Sequence, residues 1–159
     1  MLERFPMTKS GERKIRDELE VLKKEKRPQV ISAIAEARAH GDLKENAEYH
    51  AAKEEQGMIE AKIGSLEHQL AQADVIDVQQ FENNGKVVFG ATVTMVNLDT
   101  EKTVRYQIVG DFEADIGNGL LSVRSPMAKG CIGRVKGDIV EIELPAGVQE
   151  FEITDVQYL

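Results

Sequence analysis

The sequence predicts an α+β protein, in which an N-terminal antiparallel α-helical coiled-coil hairpin precedes a C-terminal antiparallel-sheet domain with a short helix. The distribution of glycine shows where the helical part ends, because only four of the 13 glycines precede residue 77. Before that point the chain is rich in Ala, Glu, Lys, Leu and Ile, most of which favour helices. After residue 85 it is rich in Val, Ile and Thr interrupted by turn residues. We therefore assign residues 1–76 to the hairpin, 77–84 to a linker and 85–159 to the sheet domain.

The clearest periodicity of the chain lies between residues 43 and 73. Apolar, aromatic or small side chains recur there at alternating steps of three and four, the spacing of a coiled-coil seam. The seam positions are Tyr49, Ala52, Gln56, Ile59, Ile63, Leu66, Leu70 and Ala73. A helix of about 31 residues, rising ~1.5 Å at each, is roughly 46 Å long. The periodicity alone favours a packed or oligomeric bundle over a hairpin that projects as a free arm.

An earlier helix is predicted from about residue 9 to residue 39. Its apolar positions change register beside Pro28. Proline lacks the backbone donor and its ring crowds the previous turn, so we expect a kink or a register adjustment there. Only residues 39–42 join this helix to the next, and so short a connection favours an antiparallel pair.

The second half predicts five strands and one short helix. The strands are expected at residues 87–96, 103–109, 120–123, 139–144 and 150–156, the last two forming a hairpin around Pro145-Ala146-Gly147. The short helix is expected at residues 125–130, with Ser125 as N-cap, proline at the first helical position and glycine after the end.

Charge and cysteine content exclude several classes of protein. The formal net charge is −8, which makes an independent reader of duplex DNA improbable, because phosphate binding depends on Lys and Arg. A single cysteine, Cys131, excludes an intramolecular disulfide and a cysteine-based zinc cluster, and its default role is a buried one. No run approaches the ~18 apolar residues of a membrane span, and the start lacks the apolar core of a signal peptide. We expect a cytoplasmic protein that does not bind membranes.

The turn between the helices, residues 41–49, holds the most informative side chains. Elementary helix chemistry explains much of it: Gly41 ends one helix in a left-handed conformation, while Asp42 caps the next and forms a capping box with Glu45. On these grounds alone, turn building is favoured over catalysis. A cap, however, needs only one or two carboxylates, and Asp42, Glu45 and Glu48 lie within about two helical turns. Clustered carboxylates suit Mg²⁺, so the turn is expected to supply half of a site that another macromolecule completes.

Four stretches of the chain carry a family resemblance. They are AEARAHGDLKENAEYHAAK at residues 35–53, NGKVVFGATV at 84–93, IVGD at 108–111 and SPMAKG at 125–130. Together they closely resemble the Gre family of bacterial transcript-cleavage factors, in particular its GreA type. The likeness extends over nearly the whole chain and outweighs the turn-building interpretation.

The resemblance implies a transcription elongation factor that acts on bacterial RNA polymerase. The coiled coil would enter the secondary channel, while the C-terminal domain, similar to FK506-binding proteins, would dock at the channel rim through Ser125, Pro126 and Met127. The factor would be a monomer and no enzyme by itself. It would stimulate the polymerase's own Mg²⁺-dependent hydrolysis of the backtracked RNA 3′ end.

The same resemblance assigns roles to the turn. Asp42 and Glu45 are implied to be the acidic pair that holds Mg²⁺ jointly with polymerase, with Asn46, Glu48 and Tyr49 as supporting residues. His40 and His50 flank the turn without a partner at ligand spacing, and they stay unassigned.

Basic side chains suggest where extruded RNA would lie. Residues 9–38 contain nine Lys or Arg and six Asp or Glu, whereas residues 42–77 contain three basic and nine acidic residues. The basic run at residues 23–27 fits RNA steering and an ordinary solvated face equally well. For Arg38 and Lys53, nearer the turn, we predict RNA contact.

Two other functions stay open. A non-cleaving member of the same family would occupy the channel only to inhibit or compete, but Asp42 and Glu45 are both present, which argues against it. A prolyl isomerase or chaperone is suggested by the likeness to FK506-binding proteins. Such a site needs an aromatic-lined pocket, and the sheet half contains only Phe89, Tyr106, Phe112, Phe151 and Tyr158.

Overall fold

The structure is a computed structural model that describes residues 4–42 and 46–159. The described chain divides into two compact units: one consists of residues 12–73, and the other of residues 4–11 together with residues 74–159. None of the described helices is both long and apolar enough to cross a membrane. The fold class predicted from the sequence, a helical hairpin followed by a sheet domain, is confirmed.

The first unit is built from three helical segments and one interruption. Helix α1 spans Lys9–Val21, a π-helical segment spans Leu22–Lys26, and helix α2 spans Arg27–Ala39. Helix α3 spans Ala47–Gln72 and packs along α2. At ~1.5 Å per residue α3 is about 39 Å long, shorter than predicted because it begins at Ala47 instead of residue 43.

The π-helical segment is the register adjustment predicted beside Pro28. Its backbone closes with the N–H of Arg27 bonding the carbonyl of Leu22, five residues back. Pro28 offers no N–H to the carbonyl four residues earlier, and its ring would crowd that carbonyl in a regular α-helix. The wider turn moves the carbonyls before Pro28 apart, so the helix passes the proline without ending.

The predicted seam is buried between the helices of the same hairpin. Ile59, Ile63 and Leu66 of α3 are buried, as are Val30 and Ile34 of α2. Because α2 packs along α3, the chain itself covers the seam. At ~1.5–3 kcal/mol for each large aliphatic side chain taken out of water, this burial is the main force that holds the hairpin together.

Ion pairs also join the two sides of the hairpin. Arg27 bonds both carboxylate oxygens of Glu60, at 3.0 and 2.8 Å, and Lys23 lies 3.1 Å from Glu67. A longer pair of 3.8 Å joins Lys62 and Glu18. In this pair the basic residue is on α3 and the acidic residue is on α1, the opposite of the other two pairs. Each exposed pair contributes only ~0.2–1 kcal/mol, so the pairs favour the observed register more than they add stability.

The second unit contains a five-stranded sheet. Its strands are β3 (Thr92–Asn97), β4 (Thr103–Val109), β5 (Leu120–Ser122), β6 (Ile139–Leu144) and β7 (Gly147–Gln157), in the order β5-β4-β3-β7-β6. A short helix, α4 (Pro126–Cys131), packs against β6. The buried core includes Val87, Met95, Ile108, Ile142 and Ile153.

Two details of the predicted sheet are wrong. Strand β5 pairs parallel with β4, not antiparallel, because residues 110–119 carry the chain back through two 3₁₀ turns before the strand begins. The strand predicted from residue 87 begins only at Thr92. Gly90 has a φ of +86°, which breaks the extended run, and the Val87 N–H instead bonds the carbonyl of Arg134 at 2.8 Å.

The N-terminal segment belongs to the same unit as the sheet. Strand β1 (Phe5–Thr8) pairs with β2 (Ala73–Ile76) in a separate two-stranded sheet. The sequence-based division assigned both strands to the hairpin and residues 77–84 to a linker. In the structure, residues 78–80 of that stretch form a 3₁₀ turn and Val78 is buried.

A hydrogen-bond cluster ties β1 to the sheet unit. The Glu113 carboxylate accepts from the Thr8 N–H at 3.1 Å, from the Gly110 N–H at 2.9 Å and from the Thr8 hydroxyl. The Thr8 hydroxyl oxygen in turn accepts from the N–H of Gly11 at 3.1 Å, as an N-cap of α1 does. Thr8 is 2% exposed, so its polar atoms depend on these partners.

Because the thiol of Cys131 is buried, the free energy of unfolding is expected to decrease as the pH rises in the alkaline range. Cys131 is 1% exposed, with Sγ 3.3 Å from Met95 Sδ, and burial raises the pKa of its thiol from 9.0 to about 11. Between these values the unfolded chain releases the proton that the folded chain keeps. We therefore expect the free energy of unfolding to fall by up to ~1.4 kcal/mol per pH unit from pH 9 to 11.

Urea denaturation at pH 8.5, 9.5 and 10.5 measures this dependence. The Cys131→Ala variant keeps every other titrating group, so subtracting its pH slope isolates the thiol. Parallel slopes for the two proteins would contradict the prediction.

Candidate functional site

The turn between α2 and α3 is the candidate site. Helix α2 ends at Ala39, His40 is its C-cap, and Gly41 follows with a φ of +128°, a conformation that side chains with a Cβ rarely adopt. Asp42 comes next and is exposed. Glu45, the second member of the predicted acidic pair, lies outside the described residues.

The N-cap of α3 is Asn46, not Asp42 as predicted. The Asn46 side-chain oxygen accepts from the N–H of Tyr49 at 3.0 Å, and the helix begins at Ala47. Asn and Asp are equally good N-caps, and the later start allows the Asn46 amide to bond α2 as well. Its Nδ2 donates to the carbonyl of Ala37 at 2.7 Å. Asp42 therefore does not serve as the helix cap.

Three of the predicted turn residues, Asp42, Asn46 and Glu48, line one open depression of about 480 Å³. The described residues that line it are His40, Asp42, Asn46, Ala47 and Glu48. The structure thus brings two exposed carboxylates, those of Asp42 and Glu48, to the same small surface, together with an imidazole that the sequence analysis left unassigned. The adjacency of His40 to the glycine turn was the only signal for it in the sequence.

Tyr49 lies beside the depression, on the first turn of α3. It is partly buried, with the Arg38 guanidinium carbon 5.7 Å from the ring centroid and the His50 ring edge-on at 5.5 Å between centroids. Arg38 belongs to α2, so this cation–π contact joins the two helix ends a second time. Asn46 and Tyr49 thus both contact α2, and Glu48 contributes an exposed carboxylate, while their supporting role in a metal site stays a prediction.

Most basic side chains of the hairpin already have partners within the chain. Lys53 donates to the Gln56 side chain at 3.3 Å, and three residues of the run at 23–27 pair with acids. These are Lys23, Lys24 and Arg27, bonded to Glu67, Glu20 and Glu60. For this run the structure favours the interpretation as a solvated, ion-paired face.

The described side chains of the turn carry the type of ligand atom that Mg²⁺ binds. Asp42 and Glu48 offer carboxylate oxygens on an exposed surface, which are the ligands that Mg²⁺ prefers. Among the described residues, no group of three or more His, Cys, Asp or Glu is placed to hold a metal ion. The described carboxylates thus suit an ion whose remaining ligands come from elsewhere.

The predicted docking residues form the start of α4. The Ser125 hydroxyl oxygen accepts from the N–H of Ala128 at 3.2 Å, so this residue is the expected N-cap. Pro126 is exposed, whereas Met127 packs partly against the sheet core. Cys131, at the other end of the helix, is buried as expected. Of the three predicted docking residues, Pro126 presents the most accessible side chain.

The chain matches two family models over most of its length. Residues 5–75 match the model described as transcription elongation factor, N-terminal, and residues 82–158 match the one described as transcription elongation factor, GreA/GreB, C-terminal.

Curated relatives are similar from end to end. Transcription elongation factor GreA of Xylella fastidiosa (strain 9a5c) is 58% identical over 156 residues, with 98% of this chain and 99% of that protein covered. The protein of the same name from Vibrio vulnificus (strain CMCP6) is 58% identical over 157 residues, with 99% of each covered. Among solved structures, the GreA factor homolog 1 (Gfh1) protein of Thermus thermophilus is 26% identical, with 98% of this chain and 99% of that chain covered and a TM-score of 0.44. On the two family models and the full-length identity to these relatives, the chain belongs to the GreA/GreB family of transcription elongation factors.

Proposed function

We propose that this elongation factor binds bacterial RNA polymerase and stimulates the polymerase's own hydrolysis of backtracked RNA. The hairpin would enter the secondary channel, and the sheet domain would dock at its rim through the start of α4. The observation that carries the proposal is the position of Asp42. It is exposed on the turn and lines the same depression as Glu48, while the N-cap of α3 is Asn46.

The turn's own carboxylates would act on the metal and on water. Asp42 and Glu45 would hold a Mg²⁺ ion jointly with polymerase, and Glu48 lies at the same depression. Such an ion, when bound, activates water and stabilises the leaving oxygen of a phosphodiester. An Asp42 carboxylate oxygen left outside the ligand shell would accept a proton from the attacking water. A carboxylate held on a turn between two packed helices is oriented before the RNA arrives, which lowers the entropic cost of the reaction.

The hairpin supplies reach for this chemistry. Helix α3 measures about 39 Å, so a factor that docks outside a channel could present its turn well inside it. The seam buried within the hairpin stiffens that length, because both helices must bend together. The proposed monomer is consistent with a seam that the chain covers without a second copy.

A cleavage assay on stalled polymerase complexes tests the proposal. RNA labelled at its 5′ end is backtracked in purified complexes, and its shortening is followed with and without the factor at several Mg²⁺ concentrations. We expect the factor to accelerate shortening and to leave free RNA intact when polymerase is omitted. Binding to polymerase without acceleration would overturn the proposal in favour of a non-cleaving regulator of the same channel.

The isomerase alternative gains no support from the aromatic residues of the sheet domain. Phe151 is buried in the core, and Phe112 packs edge-on against Phe5 with 5.3 Å between ring centroids. Tyr158 pairs with Phe81 beside a small open depression. Phe89 and Tyr106 pack against the same core as Phe151, so among the described rings only Phe81 and Tyr158 line that depression.

A further inference from the structure

We propose that Asn46 is a positioning residue that clamps the two helix ends together and thereby fixes the turn that carries Asp42. One carboxamide makes both bonds: its oxygen accepts from the N–H of Tyr49 at 3.0 Å, and its nitrogen donates to the carbonyl of Ala37 at 2.7 Å. The first bond starts α3, and the second reaches back to the last turn of α2. The functional consequence rests on the proposed function, whereas the clamp itself does not.

The chemistry of the two partners defines the orientation of the amide. A backbone N–H can only donate and a backbone carbonyl can only accept, so Oδ1 must face Tyr49 and Nδ2 must face Ala37. Ala37 is 3% exposed, and its carbonyl also accepts from the N–H of His40 at 3.2 Å. The bond from Asn46 therefore adds to a partly buried network at the base of the turn.

Few other side chains can make both bonds. Aspartate would cap α3 equally well, but it has no donor for the Ala37 carbonyl and would place a negative charge against that oxygen. Serine would cap the helix with a shorter side chain and a single hydroxyl. Alanine would make neither bond. Position 46 thus separates two roles that single substitutions can distinguish, the helix cap and the link between the helices.

The clamp restricts where Asp42 can lie. The residues bonded through it, Ala37 and Asn46, are nine positions apart, and Asp42 lies near the middle of the enclosed segment. The Arg38–Tyr49 cation–π contact joins the same helix ends from a neighbouring position. A turn closed at its base in this way has fewer conformations, so its carboxylates lose less freedom when they take up a ligand.

The Asn46→Asp variant is the central test, because it removes the link and retains the cap. Backbone amide relaxation by NMR measures the order of the turn in the isolated protein. We expect the ¹⁵N heteronuclear NOE of residues 40–42 to fall in Asn46→Asp, while the Tyr49 amide stays protected from hydrogen exchange. In Asn46→Ala both the NOE and the protection should be lost.

The functional readout is the Mg²⁺ dependence of stimulated RNA cleavage. Loss of a residue that orients a metal-binding group commonly weakens metal affinity by 10–100-fold, so we expect Asn46→Asp to need roughly 10-fold more Mg²⁺ for half-maximal stimulation. The maximal rate at saturating Mg²⁺ and the affinity for polymerase should change little. Glu48→Gln, which removes a neighbouring charge without touching the clamp, is the matched control for the NMR measurement.

The possible outcomes separate this inference from the proposed function. If Asn46→Asp matches wild type in turn order and Mg²⁺ dependence while Asn46→Ala is defective, Asn46 is only a helix cap and the inference is wrong. If the wild-type factor stimulates no cleavage, the proposed function fails, and the NMR comparison alone decides whether the clamp exists.

Discussion

Replacing Asp42 by Ala is expected to reduce stimulated RNA cleavage by roughly 100-fold or more while leaving polymerase binding nearly unchanged. Asp42 is exposed on the turn and the N-cap of α3 is Asn46, so Asp42→Ala retains the cap of that helix. Under the proposed function, its carboxylate is one of the ligands of the Mg²⁺ held jointly with polymerase. The double variant with Glu45→Ala should stimulate no better than Asp42→Ala alone, since the proposal assigns both carboxylates to one ion.

The measurement compares initial rates of RNA shortening in stalled complexes, with binding measured separately by competition with labelled wild-type factor. Glu55→Ala is the matched control, because it also removes one exposed carboxylate from the hairpin. Glu55 lies about two helical turns after the start of α3, away from the turn that carries Asp42. It should stimulate as wild type does. Full stimulation by Asp42→Ala would show that another group provides the acidic function.

The second large effect is expected at Gly11. Replacing a helical glycine by alanine ordinarily stabilises a protein by ~0.5–1 kcal/mol. At Gly11 the sign should reverse, because an added Cβ would overlap the Glu113 carboxylate. That carboxylate cannot move aside without losing its bonds to Thr8 and Gly110. Since hydrogen bonds to charged groups contribute ~1.5–3 kcal/mol each, we expect Gly11→Ala to lower the free energy of unfolding by about 2–4 kcal/mol.

Urea denaturation of paired variants checks this prediction. Gly57→Ala, in α3, has no atom within 4 Å of the added Cβ and should be slightly stabilising. In a Glu113→Ala background the space beside Gly11 is free, so Gly11→Ala should lose most of its cost there. An effect of Gly11→Ala equal to that of Gly57→Ala would refute the steric argument.

The helical hairpin was predictable because its signals are local. The spacing of Ile59, Ile63 and Leu66 indicated the buried seam, and Pro28 indicated the register change that became the π-helical segment. Both follow from side chains within a few turns of one another. The acidic residues of the turn were likewise evident in the sequence, because the turn contains more carboxylates than a helix N-cap requires.

What the sequence could not predict depends on distant partners. Asp42 and Asn46 are equally good N-caps, and the choice between them depends on the Ala37 carbonyl across the turn. The direction of β5 depends on the path of residues 110–119, which return the chain from the end of β4 back along that strand, so that β5 runs parallel to β4. The bond between Thr8 and Glu113 spans 105 positions, and no local pattern indicates it.

That long-range bond has a consequence for the order in which the protein is made and folded. The hairpin, residues 12–73, is synthesised whole before residues 74–159, and its contacts are local enough for it to fold early. Thr8 of strand β1, by contrast, is synthesised before the hairpin, whereas Glu113, which accepts its N–H, is synthesised only after the hairpin is complete. Pairing of the two helices brings residues 12 and 73 together, which shortens the effective loop between β1 and β2 and lowers the entropy lost when they pair. The hairpin is therefore also a folding aid for the unit into which it is inserted.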